Sequence, residues 1–291
     1  MSIWCFGSIN IDHFHHLDHL PSPGETIASR SYRVELGGKG ANQSVAAVRA
    51  GARVRHLGAI GPDGAAMRAA LEGYGVDCTH VQEVTAPTGH AVIMLDPAGE
   101  NAIVTHAGAN HAMALAPVLD ALGAAQIGDI LLVQNESAFV PEVAEAAMGL
   151  GLEVVYSAAP FELSAVQAVL PFVNILVMNA VEAQQLQDAL DLPFEDLPVE
   201  AVVVTRGAQG ASWHARGTAQ IAVAAPEVAV VDTTGAGDCF TGALAAALDQ
   251  GLEAAEVMEF AAGAAALQVT RPGTASAMPT RAEIEALRQP L

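Results

Sequence analysis

The chain has 291 residues, 52% of them hydrophobic, which is enough to bury one large α/β core with or without a small appendage. Lys and Arg number 12 against 32 Asp and Glu, and the formal net charge of -20 sets the surface against phosphate backbones and anionic membranes. That excludes nucleic-acid and peripheral-membrane binding as leading functions, and a polyanionic small ligand would have to be held by local amides, Mg²⁺ and a few cations.

Cys5, Cys78 and Cys239 form an odd set without a C-x-x-C pair, which fits free thiols in a reducing cytoplasm. Cys239 reads as a small buried residue. The opening M-S-I-W-C-F-G has no basic region, and no segment reaches the roughly 18 apolar residues of a membrane span. We therefore expect a cytoplasmic protein.

In chain order, residues 3–9 read as a buried strand, with Asn10 and Asp12 where it leaves the core. His13, His15, His16 and His19 follow on an alternating, exposed segment without cysteine, a pattern that reads as a strand face rather than a metal site. Residues 31–36 return as a strand, and residues 88–95 and 102–106 form a second pair. Both pairs read as hairpins that interrupt the βα alternation, at about 11–36 and 88–106.

Between them, Gly37, Gly38, Lys39 and Gly40 precede a helix from about residue 41 to 50, closed by Gly51, with Asn42 in its first turn. A strand at 54–60 and a helix at 67–74 come next. The strand at 129–133 ends in Gln134, Asn135 and Glu136, a run of polar residues where open α/β sheets place ligands. Alternation continues with a helix at 141–149, strands at 154–156 and 174–178, and a helix at 162–170 between them. Asn179 and Glu182 then open a helix to 190, a spacing that capping and ligand binding explain equally well. A strand at 201–205 leads into R-G-A-Q-G, and Trp213 starts a hairpin.

The stretch V-V-D-T-T-G-A-G-D-C-F from Val230 reads as strand, glycine turn and helix. Gly235, Ala236 and Gly237 would bring main-chain N–H groups together before a helix N-terminus, an anion hole with Asp238 at its lip. Asp238 is then either a base for an acceptor hydroxyl or only an N-cap. A buried helix at 253–269 and a loop at 270–279 follow. Neither G-x-x-x-x-G-K-[ST] nor G-x-G-x-x-G occurs, which counts against a nicotinamide-dependent dehydrogenase. One unit over 1–291 is expected, with a mostly parallel sheet, helices on both faces and the two hairpins outside it.

The D-T-T-G-A-G-D-C-F run closely resembles the second signature of the ribokinase (PfkB) family of small-molecule kinases. Residues 37–61, beginning G-G-K-G-A-N-Q, resemble its first signature roughly two hundred residues upstream. G-S-I-N-I-D at 7–12 and H-A-G-A-N at 106–110 extend the resemblance over nearly the whole chain. The resemblance implies an ATP-dependent kinase of a small sugar hydroxyl, D-ribose to D-ribose 5-phosphate foremost. Asn10, Asp12, Gly38, Lys39, Asn42 and Glu136 would hold the sugar, and Asn179, Glu182, Thr205 and Gly207 the nucleotide, with Glu182 linked indirectly to Mg²⁺. Asp238 would be the base and Gly235, Ala236 and Gly237 the anion hole.

Asp232, Thr234, Gln268, Arg271 and Gly273 would enclose a monovalent cation, which leaves K⁺ activation open. Ala277 stands where the family often has serine, with Ser276 one place early. The resemblance also implies that the two hairpins form a small β-strand lid, which would cover the sugar and pair two subunits. Kinases of nucleosides, fructose or modified sugars share the same catalytic set, and a sensing protein on the same scaffold is the alternative from a different class.

Overall fold

The computed structural model describes residues 1–98 and 100–288. A nine-stranded sheet is built from β1 (Ile3–Phe6), β4 (Val54–Ile60), β5 (Val81–Glu83), β8 (Ile130–Gln134), β9 (Glu153–Ser157), β10 (Ile175–Asn179), β11 (Ala201–Thr205), β12 (Ala211–Ala215) and β13 (Ile221–Val223). Its order is β13-β12-β11-β10-β9-β8-β1-β4-β5, parallel from β11 to β5 and antiparallel at the β12 and β13 edge. A separate four-stranded sheet has the order β3-β2-β6-β7, from β2 (Asn10–His16), β3 (Ser31–Gly37), β6 (Gly89–Leu95) and β7 (Asn101–His106). The two hairpins expected from the pattern are present, and they join side by side through parallel pairing of β2 with β6.

Alternation along each strand divides the core. Ile3 and Cys5 of β1 face one cluster together with α1 (Lys39–Arg49), α2 (Ala65–Tyr74), α8 (Ala236–Asp249) and α9 (Ala254–Gln268). Trp4 and Phe6 face the other, with α4 (Leu115–Leu122), α5 (Val140–Gly149), α6 (Leu163–Val169) and α7 (Ala180–Leu190). Two short elements complete the set, α3 (Ala109–Ala112) and α10 (Arg281–Arg288). The strand order reverses between β8 and β1, and polar side chains follow both strands at their C-terminal ends, the switch point where open α/β sheets form their crevice.

The helix pair α1 and α8 determines what meets at that crevice. A Cβ on Gly242 would lie 2.4 Å from the Gln43 carbonyl and 2.6 Å from Ala46, so the two helices approach backbone to backbone there. Their N-terminal turns are thereby brought together. Gly242→Ala should destabilise the fold by about 1–3 kcal/mol by wedging the helices apart, and should lower turnover by misplacing their first turns. Urea unfolding and steady-state kinetics on one preparation test this, and a fully stable, fully active variant would refute it.

Some expected boundaries are corrected. β1 stops at Phe6 rather than continuing to residue 9, and Ile9 is apolar because it is buried, not because it prolongs the strand. Asn10 and Asp12 therefore belong to the lid strand β2, which carries them over the crevice. Val230 and Val231 are not in a strand, and each is 62% exposed. The sheet ends at Val223, and Val230 lines a cavity instead. Cys239 is buried, as the reading of a small core residue requires, and Cys5 and Cys78 are buried too.

His13, His15 and His16 lie on β2 as expected, with the His13 and His15 rings packed against Tyr32. Among the described residues no group of three His, Cys, Asp or Glu side chains has metal-site geometry. Among the described residues no helix is long and apolar enough to cross a membrane.

Candidate active site

Helix α8 opens on Gly235, whose φ of 79° lies in the left-handed region that glycine enters without strain. Ala236 donates its N–H back to the Thr233 carbonyl at 3.2 Å, so this amide is turned into the loop. The amides of Gly237 and Asp238 have no acceptor among the described residues, and they point out of a helix N-terminus. Of the three positions expected to form an anion hole, Ala236 thus turns its amide inward, while the amides of Gly235 and Gly237 have no acceptor among the described residues.

Asp238 is in the first turn of α8 and caps nothing, which sets aside the N-cap reading. Its Oδ2 accepts from Asn42 Nδ2 and its Oδ1 from Gln43 Nε2, both at 3.0 Å. Burial raises its pKa above the usual carboxylate range, opposed first by the charge of Lys39 and then by the two amides. In turn Asp238, ahead of Glu136, holds the Lys39 ammonium above its ordinary value despite desolvation.

Glu136 follows β8 and faces the same space. It accepts from the Ser8 hydroxyl at 2.5 Å and from the main-chain N–H of Lys39 at 3.0 Å, with Lys39 Nζ 3.8 Å from its other oxygen. Gly38 is the residue preceding α1, which starts at Lys39 rather than at 41.

From the lid, Asn10 Oδ1 accepts from Asn110 Nδ2 at 2.8 Å, and Asn110 Oδ1 accepts from Ile9 N–H at 3.0 Å. Asp12 is buried with Oδ1 unpartnered. Desolvation, then the charges of Glu136 and Glu35, push its pKa up to about 7, with Lys39 opposing. The carried-over sugar set therefore gathers in one place, and Ser8, Gln43 and Asn110 join it without having been named as site residues, with Gln134, first of the polar run at the end of β8, behind Gln43. Their signal was a polar side chain in a run that otherwise packs, visible in A-N-Q at 41–43 and L-V-Q at 132–134.

A cavity of about 210 Å³ lies beside Asp238, lined by Lys39, Asn179, Glu182, Thr205 and Gly235 to Asp238 among others. It shares Thr205, Thr233, Ala236 and Gly237 with a larger cavity of about 450 Å³, walled by Ala225, Pro226, Val228, Phe240, Ala262 and Val269. Gly207 lines the larger one. Asn179 and Glu182 form a capping box: Asn179 Oδ1 accepts from the amides of Val181 and Glu182 at 2.9 Å each, and Glu182 Oε2 accepts from Asn179 N–H at 2.8 Å. Capping thus engages both side chains at the cavity rim.

Asp232, Thr234, Gln268 and Gly273 also converge. Asp232 accepts from the amides of Thr234 at 2.9 Å and Gly273 at 3.0 Å. The carbonyls of Thr234 and Gly273 both accept from Gln268 Nε2, at 2.7 and 3.1 Å, while Gln268 Oε1 is buried without a partner. Arg271 pairs its guanidinium with Glu283 at 2.6 Å, so only its carbonyl has the polarity a cation needs.

A mostly parallel sheet, a β lid over its switch point and a carboxylate beside an open helix N-terminus together define the ribokinase fold. The family model described as pfkB family carbohydrate kinase matches residues 1–281, and the chain belongs to this family. It is 35% identical to the ribokinase of Haemophilus influenzae, over 95% of each chain. It is also 35% identical to the ribokinase of Bacillus subtilis, over 98% of this chain and 99% of the other. The structure of Arabidopsis thaliana ribokinase complexed with ribose and ATP superposes with a TM-score of 0.86 at 32% identity, covering 98% of both chains.

Proposed function

We propose that the chain transfers the γ-phosphoryl group of ATP to a hydroxyl of D-ribose, giving D-ribose 5-phosphate and ADP. The observation that carries this is the position of Asp238, with both oxygens held by amides, where a polar lid-covered cleft meets a phosphate-sized cavity and a larger apolar one. The relatives named ribokinase and the neighbour holding ribose and ATP support the choice of substrates.

The sugar would sit against Asn10, Asp12, Gly38, Lys39, Asn42 and Glu136. A purine fits the apolar walls of the 450 Å³ cavity, with Thr205 and Gly207 at its edge. Asp238 takes the proton of the attacking hydroxyl as its oxygen bonds to the γ-phosphorus and the bond to ADP breaks. The amides of Gly237 and Asp238 and the Lys39 ammonium face the charge on the transferring group. Mg²⁺ bound with the nucleotide would neutralise phosphate charge, and Asn179 and Glu182 are placed to orient its water shell.

The carbonyls of Thr234 and Gly273, which here accept from Gln268 Nε2, would supply oxygen ligands to a monovalent cation holding the loop before α8 if the Gln268 amide turns its Oε1, partnerless among the described residues, toward them. We read residues 1–291 as one cytoplasmic catalytic unit that pairs with a second copy through the lid. Val34, His13, Val92 and Val104 align in one row across the lid's four strands, and Tyr32, Val34 and Val104 are exposed.

Release of ADP from ATP and Mg²⁺, with and without K⁺, is to be measured across D-ribose, 2-deoxyribose, fructose, other pentoses and nucleosides. Turnover with ribose well above the rest is expected. Preference for another acceptor would keep the kinase and discard ribose, and ATP binding without turnover on any acceptor would favour the sensing alternative.

A further inference from the structure

We propose that Gln43 and Gln134 are positioning residues for phosphoryl transfer, a buried relay of two amides that fixes the carboxylate of Asp238 with its free lone pairs turned to the cleft. The proposal rests on the reading of Asp238 as the base. Gln134 Nε2 donates to Gln43 Oε1 at 2.8 Å, and Gln43 Nε2 donates to Asp238 Oδ1 at 3.0 Å. Both glutamines are fully buried, on β8 and α1 respectively, and Gln134 reaches neither Asp238 nor the cavities beside it.

Packing does not account for this pair. Two amides are placed in a core that aliphatic side chains fill elsewhere, and Gln134 Oε1 has no donor among the described residues. The site is shaped around that orientation: a Cβ on Gly7 would meet Gln134 Oε1 at 2.2 Å, so the end of β1 makes room for the amide as it stands. Direction matters as well. An ionised carboxylate only accepts, which requires the NH₂ of Gln43 toward Asp238 and its oxygen away. A donor behind that oxygen locks the choice, and Gln134 supplies it. Asn42 holds the second carboxylate oxygen, so the group cannot swing, and each oxygen keeps a lone pair for the acceptor hydroxyl.

The other groups facing Asp238 would be unchanged by substitutions in the relay. These are Lys39 from α1 and Glu136 beyond β8, with Asp12 on the lid, and the thiols of Cys5 and Cys239, which burial keeps protonated. The relay favours the ionised base against its burial, so its loss should be felt on the acid side of the rate profile.

Gln134→Met and Gln43→Met remove each amide at nearly constant length. In ADP-release assays with the best acceptor, the acid limb of kcat should move up by about 0.5–1 pH unit in both. Well below the midpoint of that limb kcat should fall by about 3–10-fold, with rates converging on wild type above it and KM for sugar and ATP within about twofold. A purely structural role would lower Tm and scale kcat equally at every pH. An acid limb at the wild-type position in the folded variants would overturn the relay. Should Gln134→Met not fold, Gln43→Met decides by the same readout, and Gln134→Asn, which keeps a shortened amide, serves as the second variant. Asp238→Asn is assayed alongside: if it retains turnover the base reading itself falls, and if it loses turnover while the limbs stay put only the relay falls.

Discussion

Asp238→Asn should lose turnover by about 10²–10⁴-fold while binding sugar and nucleotide nearly as well as the parent chain. The substitution preserves shape and the neighbouring packing. Asn42 can meet the new amide with its own Oδ1, which is buried and unpartnered, so the site need not open. The proton acceptor is lost, together with the negative charge that holds Lys39 in its ammonium form. A loss of this size corresponds to about 3–5 kcal/mol of transition-state stabilisation.

Isothermal titration should give dissociation constants for both ligands within a fewfold of wild type. A kcat near normal would remove Asp238 from the chemistry and leave positioning on the amides of α8 as the main catalytic term. With Asp238 as the proposed base, activity in the wild type needs the ionised form. Because burial raises the Asp238 pKa, the rate should begin to fall at a higher pH than an exposed aspartate would give.

The sequence and the structure agree most closely where information is local. The glycine run before α1, the polar residues after β8 and the turn before α8 each mark a site segment within a few residues, and those segments meet at the switch point. The alternating hairpins were legible because period-two patterning and turn residues suffice to define paired strands, while their role as a lid came from the family resemblance. Continuity was harder to judge. Residues 7–9 look like more of β1, yet the chain turns there, and Val230 and Val231 look like a strand while they flank a cavity. β-branched residues line a ligand cavity as readily as they form a ladder, and the pattern does not separate the two.

The relay was out of reach of any local reading. Gln134 and Gln43 are 91 residues apart and Gln43 and Asp238 are 195 apart, so their contact follows from sheet order and from the close approach at Gly242. The roles of Asn179 and Glu182 came from the family resemblance, and the capping box shows that their three-residue spacing is also satisfied within the helix itself.

Asp12→Asn should make the ligand-free protein more stable at alkaline pH and weaken sugar binding at the same time. Burial and then the charges of Glu136 and Glu35 push this carboxyl up to about 7 in the folded chain, from an ordinary value near 3.8. Its folded form therefore holds a proton that the unfolded chain has released between those values. Stability falls as pH rises through that window, and the full penalty is present above pH 7. The shift corresponds to at most about 4 kcal/mol, and water entering the cleft reduces this to about 2–4 kcal/mol.

The isosteric amide does not titrate, so urea unfolding at pH 8.5 should favour the variant by that amount, and the two proteins should converge near pH 4. Equal stability at both pH values would refute the shifted carboxyl. The same experiment with ribose present separates cost from use. Asp12 Oδ1 has no partner among the described residues, and a sugar hydroxyl donating to it would offset the burial of the charge. Ribose should accordingly stabilise the wild type more than Asp12→Asn, so that the group that weakens the empty fold becomes one that discriminates for a hydroxyl-bearing ligand.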